Sequence, residues 1–197
     1  MMRLPARSSL LILLPIFVAS TAQAHTETGN VGGFLSGVMH PITGWDHVIA
    51  MVAVGLWGAF LGRPAIWLLP ITFPLVMAIG GAAGVVGIPL PHVETGIALS
   101  AIVLGIVVAL ALRPPLWVAV IIVGIFAVFH GHAHGTELPS AANPFAYATG
   151  FVLATGCLHI LGIVFGLLAK WPAGRVLVRV GGAAIALTGG AFLFGIA

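Results

Sequence analysis

The chain has 197 residues, of which 60% are hydrophobic and 6% charged, with a mean hydropathy of +1.21, so it holds too little polar surface to coat a water-soluble globule. Seven Lys/Arg against four Asp/Glu give a formal charge of +3 and a pI near 10.0, but so few cations in so apolar a chain cannot build a phosphate-binding face, which excludes nucleic acid as a partner. Cys157, the single cysteine, excludes an intramolecular disulfide, a four-thiolate zinc site and iron–sulfur ligation. Histidine is the anomaly: there are eight, twice the number of carboxylates.

In chain order, Arg3 and Arg7 precede an apolar run from Leu10 to Val18 and the stretch Ala22-Gln23-Ala24, the three zones of a secretory signal peptide. The run is well short of the roughly twenty residues that span a bilayer, which argues against an uncleaved anchor. Residues 1–24 are therefore expected to be removed, leaving His25 first and residues 25–197 as a single domain. Six apolar segments follow: Trp45 to Leu61, Ala65 to Ile88, Gly96 to Leu112, Leu116 to Phe129, Phe145 to Ala169 and Val176 to Ala197. The intervening breaks carry the Pro, Gly or charge that ends a helix. The fourth segment is the shortest, and a helical continuation through the glycines and histidines after it is left open. Pro70 and Pro74 predict a kink in the second. The expected fold is all-α: a polytopic membrane helical bundle with six transmembrane helices after a cleaved signal peptide.

With the N-terminus delivered outside, the breaks after the first, third and fifth helices face the cytoplasm and hold Arg63, Arg113, Lys170 and Arg175, with Arg179 close by. Every cation beyond the leader thus falls on one side, as the positive-inside rule requires, and Glu27, Asp46, Glu94 and Glu137 fall on the other. This predicts a multi-pass protein of the bacterial inner membrane, embedded in the lipid bilayer with both mature termini periplasmic. The glycine pairs Gly58/Gly62, Gly80/Gly84 and Gly162/Gly166 suit close helix packing. Trp45, Trp67, Trp117 and Trp171 stand near segment ends as interfacial anchors. Oligomeric state is left open, a homo-oligomer included. The only lysine, Lys170, is followed by Trp171 and no phosphate-cradling glycine loop precedes it, so no P-loop for ATP is present.

Seven histidines are expected outside or at the outer mouth, and each carboxylate has one within three residues: His25 with Glu27, Asp46 with His47, His92 with Glu94, and His134 with Glu137. Imidazole nitrogen and carboxylate oxygen are the ligand set for borderline divalent ions such as Ni²⁺, Co²⁺ and Zn²⁺, whereas Cu(I) prefers Cys or Met. On one continuous helix His40, Gly44, His47 and Met51 would share a face, with Pro41 in the first turn. Asp46 would then ligate beside His47, orient an imidazole of a neighbouring segment, or cap the helix start. In the second cluster, helical geometry aligns His130, His134 and Glu137, while extended geometry aligns His130, His132 and His134; Gly131 and Gly135 leave both open and allow the backbone to bend around an ion. His92 lies in a short outer loop, as a ligand or as surface polarity. His159, deep in the fifth segment, reads either as a point on a polar path or as a hydrogen bond between helices. After cleavage His25 would offer both a free amine and an imidazole to one ion. Met39, Met51 and Met77 read as packing, and Cys157 as buried and inert.

At these residues the chain resembles the HupE/UreJ family of bacterial nickel transport proteins. The likeness rests on His40-Pro41, Gly44, Asp46-His47, Met51, Gly55, Trp57 and Gly62, and on Phe129-His130-Gly131, Ala133-His134-Gly135 and Glu137; it covers essentially the whole chain. The resemblance implies a secondary permease for Ni²⁺ serving hydrogenase or urease assembly. Its functional positions would be the first-helix His and Asp residues and the fourth-helix His cluster, where His132 lies between matched residues. Two other readings compete: an intramembrane zinc-dependent hydrolase with Asp46 or Glu137 activating water, and a non-transporting periplasmic-side copper- or zinc-binding protein. The shortage of polar substrate-binding residues disfavours the enzyme.

Overall fold

A computed structural model describes residues 33–137 and 143–196, so the leader expected over 1–24, His25 and Glu27 lie outside the described residues. Its elements are α1 (Gly33–Thr43), α2 (Trp45–Leu61), α3 (Ala65–Val85), α4 (Val93–Ala109), α5 (Leu116–Thr136), α6 (Pro144–Leu167), a 3₁₀ turn (Leu168–Lys170) and α7 (Pro172–Leu193). Among the described residues there is no strand. Helices α3, α5, α6 with its 3₁₀ turn, and α7 are long and apolar enough to cross a membrane, and α1 with α2 is so only as a pair, bent by 81°, the shape of a broken span or of a re-entrant loop. Helix α4 has 17 residues, about 26 Å of rise against a hydrocarbon core of about 30 Å. Several apolar helices in one chain make this a multi-pass membrane protein.

Each of the six expected apolar segments coincides with a helix from α2 to α7, the first with the same ends and the other five with one or both ends shifted. The fourth runs on through the histidines to Thr136, because Gly131 and Gly135 pack inside the helix rather than bending it. The last starts at Pro172, not Val176, since a proline suits the first helical turn, and it stops at Leu193, before the positive-φ Gly195. One element was unexpected: α1, a separate short helix before the first segment.

Close backbone contact holds the bundle. A Cβ on Gly162 would strike the Val52 carbonyl and one on Gly55 the His159 carbonyl, which fixes α2 against α6. Gly80 meets Val128, Gly131 meets Met77 and Gly135 meets Gly81, which fixes α3 against α5. In a bilayer, where lipid is as apolar as leucine, such small-residue contacts supply the packing that burial supplies in water. Two of the three expected glycine pairs act this way. Gly62 instead ends α2 with φ 85°, a conformation that excludes most side chains, and nothing lies near its missing Cβ.

Fully buried Met51, Val54, Trp57, Leu69, Phe73 and Leu104 form the apolar interior. The outward faces carry exposed Ile, Leu, Val and Phe, with Trp45, Trp67, Trp117 and Trp171 also exposed near helix ends. Cys157 is exposed rather than buried. It sits two residues from both Thr155 and His159, hence on the face of α6 opposite the one those residues bury. The charges separate by end: Arg113 lies over the Phe60 ring, shares one 230 Å³ cavity with Lys170 and Arg175 and another with Arg63, while Arg179 donates to the Ala109 carbonyl. Asp46, Glu94 and Glu137 occupy the opposite end, at the start of α2, the start of α4 and the end of α5.

Candidate metal centre

The acidic end of the bundle is also where the histidines meet. Gly44 ends α1 and opens α2 in extended conformation, so His40 and His47 do not share one helical face as expected; they approach from two helices at a corner. Pro41 accordingly lies near the end of α1, not in a first turn. Between the two stands His134 of α5, with its ring centroid 4.8 Å from that of His40 and 4.4 Å from that of His47. His130, one turn deeper on α5, lies 5.0 Å from His47.

Helical geometry decides the second cluster. His130, His134 and Glu137 share the face of α5 turned to α1 and α2, and His132 points the other way, donating from Nε2 to the Ile88 carbonyl at 2.7 Å. His132 thus ties α5 to the end of α3 and stays apart from the other imidazoles. Gly131 and Gly135 serve the same contact by admitting the α3 backbone.

Two overlapping groups result. In the outer one, His40, His134 and Glu137 offer ligand atoms that all lie within 4.8 Å of one another. His40 Nε2 is 3.3 Å from Glu137 Oε2, and this hydrogen bond holds the Glu137 carboxyl below the usual carboxylate range although partial burial acts the other way. In the inner group, the His47 ring contacts both His130 and His134 while Asp46 Oδ1 accepts from His47 Nδ1 at 2.9 Å and from the His47 backbone N–H. Asp46 therefore supports the imidazole next to it in sequence, not one of a neighbouring segment.

The hydrogen bonds assign tautomers. A carboxylate or carbonyl only accepts, so the His47 proton sits on Nδ1 against Asp46, and the His130 proton on Nδ1 against the Phe126 carbonyl at 2.9 Å. Each ring is then left presenting Nε2 as a lone pair. Those two Nε2 atoms and both nitrogens of His134 are buried and have no hydrogen-bond partner among the described residues. A proton fixed on the far nitrogen and a bare lone pair on the near one is how metal-binding histidines are held. Leaving such groups unpaired costs about 1–3 kcal/mol each, so a cation or water that satisfies them is favoured.

The remaining candidates lie elsewhere. His92 is exposed at the start of α4, with φ 58°, away from the cluster. His159 is buried deeper in the bundle: its backbone meets Gly55, eight residues or about 12 Å along α2 from His47. Its ring interacts with the Pro70 carbonyl, which has lost its helical donor because Pro74 carries no N–H. His159 Nε2 is buried and has no partner among the described residues. Three aromatic walls escaped the sequence reading. Tyr147 and Phe151 of α6 line the outer group, at 5.9 Å from His40 and 4.4 Å from His134, and Phe73 of α3 touches His130. The signal for the first two was present, since 147, 151, 155 and 159 form one helical stripe that ends in a buried histidine.

Comparison with known proteins agrees with this arrangement. Residues 12–192 match the family described as HupE / UreJ protein. Over 183 residues the chain is 48% identical to Protein HupE of Rhizobium leguminosarum bv. viciae, covering 93% of this chain and 95% of that protein. No solved structure matches the fold. A match along nearly the entire length, with the two histidine clusters inside it, places the chain in the HupE/UreJ family.

Proposed function

We propose that this protein is a secondary transporter that carries a divalent transition metal, Ni²⁺ first among them, from the periplasm to the cytoplasm. The observation that carries the reading is the set of buried, unpartnered ring nitrogens of His47, His130 and His134, rings that lie together at the acidic end of the bundle with His47 in contact with both of the others. His40, Glu137 and His134 receive the ion, with Co²⁺, Zn²⁺ or copper as competitors. Transfer to His47 and His130 strips its remaining water, and His159 accepts it at mid-depth. In this reading all of α2 to α7 span the membrane behind a cleaved leader, residues 25–197 form one domain, both termini are periplasmic, and the delivered metal supplies hydrogenase or urease assembly.

Imidazoles spaced along a pathway suit passage, whereas a hydrolase needs its ligands closed around one ion with a single open position. The driving force is at hand. An inward-moving divalent ion gains about 4.6 kcal/mol per 100 mV of membrane potential, on the order of a thousandfold accumulation.

The test is radioactive nickel uptake into proteoliposomes under an imposed potential, with zinc and cobalt as competitors. His47→Ala and Asp46→Asn should reduce uptake at least tenfold at unchanged protein level in the membrane. Uptake at the wild-type rate by both variants would refute the assignment.

A further inference from the structure

One aromatic ring bridges the imidazole cluster and His159. Phe73 is fully buried, its ring centroid 5.4 Å from that of His130 and 5.5 Å from that of His159, edge-on to both. Among the described residues no ring contact joins His159 directly to the other histidines. Leu69 and Met77, one turn to either side on α3, are buried as well, so the face of α3 around Phe73 is apolar. On the α3 side a cation leaving His130 meets a surface with no lone pair, while on α6 the buried Thr155 hydroxyl, one turn before His159, is the polar group nearest in sequence to His159; a ring in that position narrows the way for water and ions unless it moves.

Two prolines interrupt the hydrogen-bond ladder of the segment that carries the ring. Pro70 and Pro74 bracket Phe73 within α3. Neither donates an N–H, so the carbonyls of Ile66 and Pro70 are released from the helical ladder. The Pro70 carbonyl turns to His159 instead. One imidazole on the pathway is therefore coupled to the backbone that holds the phenyl ring, and occupation of the His159 ring by a cation bears on both.

We propose that Phe73 is the permeation-determining residue of this protein: a plug that separates the outer histidine site from His159 and admits only ions already stripped of water by the imidazoles. The plug rests on the transport reading for its cargo but not for its existence as a barrier, and the two are tested apart. Ile163 is buried one turn beyond His159 on the same face of α6. With Cys157 replaced by alanine, Ile163→Cys supplies a single thiol below the plug. Ag⁺ is added outside right-side-out vesicles, and the thiols still free after denaturation are counted with a maleimide by mass spectrometry.

With Phe73 present, protection of that thiol should be slow; Phe73→Ala should speed it at least tenfold, and Phe73→Leu, the milder change in case alanine fails to fold, by a smaller factor. Calorimetric Ni²⁺ binding to each purified variant separates an opened path from a loosened His130, and both variants should admit Mg²⁺, which sheds water reluctantly. Equal protection rates with and without the ring overturn the plug. So does loss of nickel uptake in Phe73→Leu with binding intact, because the ring would then be a stepping stone. If Phe73→Ala opens the path while His47→Ala leaves uptake unchanged, the plug stands and the metal assignment falls.

Discussion

His134 is the residue on which the site turns. Among the described residues it is the only imidazole in contact with both His40 and His47, and neither of its nitrogens has a hydrogen-bond partner there. His132, two positions away, makes one bond to a carbonyl of the neighbouring loop. The two should respond differently to the same change. His134→Ala should weaken Ni²⁺ binding by at least a hundredfold in calorimetry and leave thermal unfolding in detergent nearly unchanged. His132→Ala should keep the affinity and lose about 1 kcal/mol of stability, the net worth of a hydrogen bond. A hundredfold affinity loss in His132→Ala would reverse these roles. Sequence could pair each carboxylate with a nearby histidine, but it could not separate His132 from His130 and His134, because that depends on whether the segment is helical or extended and its two glycines permit both. Phe73 was invisible for a related reason: one phenylalanine among eleven carries no mark until α3 is placed beside α5 and α6.

At the scale of elements, α5 holds a contrast within a single helix. A side chain on Gly135 would collide with the backbone of Gly81, while around Gly124 nothing lies within 4 Å. Gly135→Val should push α3 from α5, cost roughly 1–3 kcal/mol, and lower uptake because His130 and His134 ride on the displaced helix. Gly124→Ala should be neutral or stabilising by up to about 1 kcal/mol, as alanine is the better helix former. Thermal unfolding of the two variants side by side checks the pair. The helices themselves were legible, since long apolar runs between Pro, Gly and charge leave few choices. The corner between α1 and α2 was not. The positions of His40 and His47 fit a continuous helix as well as they fit two, and the choice is made by α1 packing on α6, where Gly37 meets Tyr147 and Gly150 meets Phe34.

The whole molecule is polarised. Arg63, Arg113, Lys170, Arg175 and Arg179 gather at one end, and the described carboxylates and the histidine cluster at the other. If the acidic end is periplasmic, a cysteine at Glu94 should react with an impermeant maleimide from outside intact cells and one at Arg113 only after permeabilisation; the reverse pattern would invert the direction of transport. Movement of an uncompensated divalent ion also sets a slope, since the accumulation ratio should change about tenfold for each ~30 mV of imposed potential. A shallower slope that steepens with a pH gradient would show proton exchange instead. The separation of the described charges between the two ends was readable from the sequence, because it needs only the order of the segments and not their packing.

The corner glycine also governs its neighbours through size. Gly44 has φ −88° and ψ 104°, a backbone any amino acid adopts, so the turn itself does not call for glycine. A methyl group there would come within 3.0 Å of His47 Nδ1 and 3.1 Å of Asp46 Oδ1. Alanine would keep the elbow and wedge apart the carboxylate and the ring it steers, loosening the grip on the metal in a protein whose helices are otherwise undisturbed.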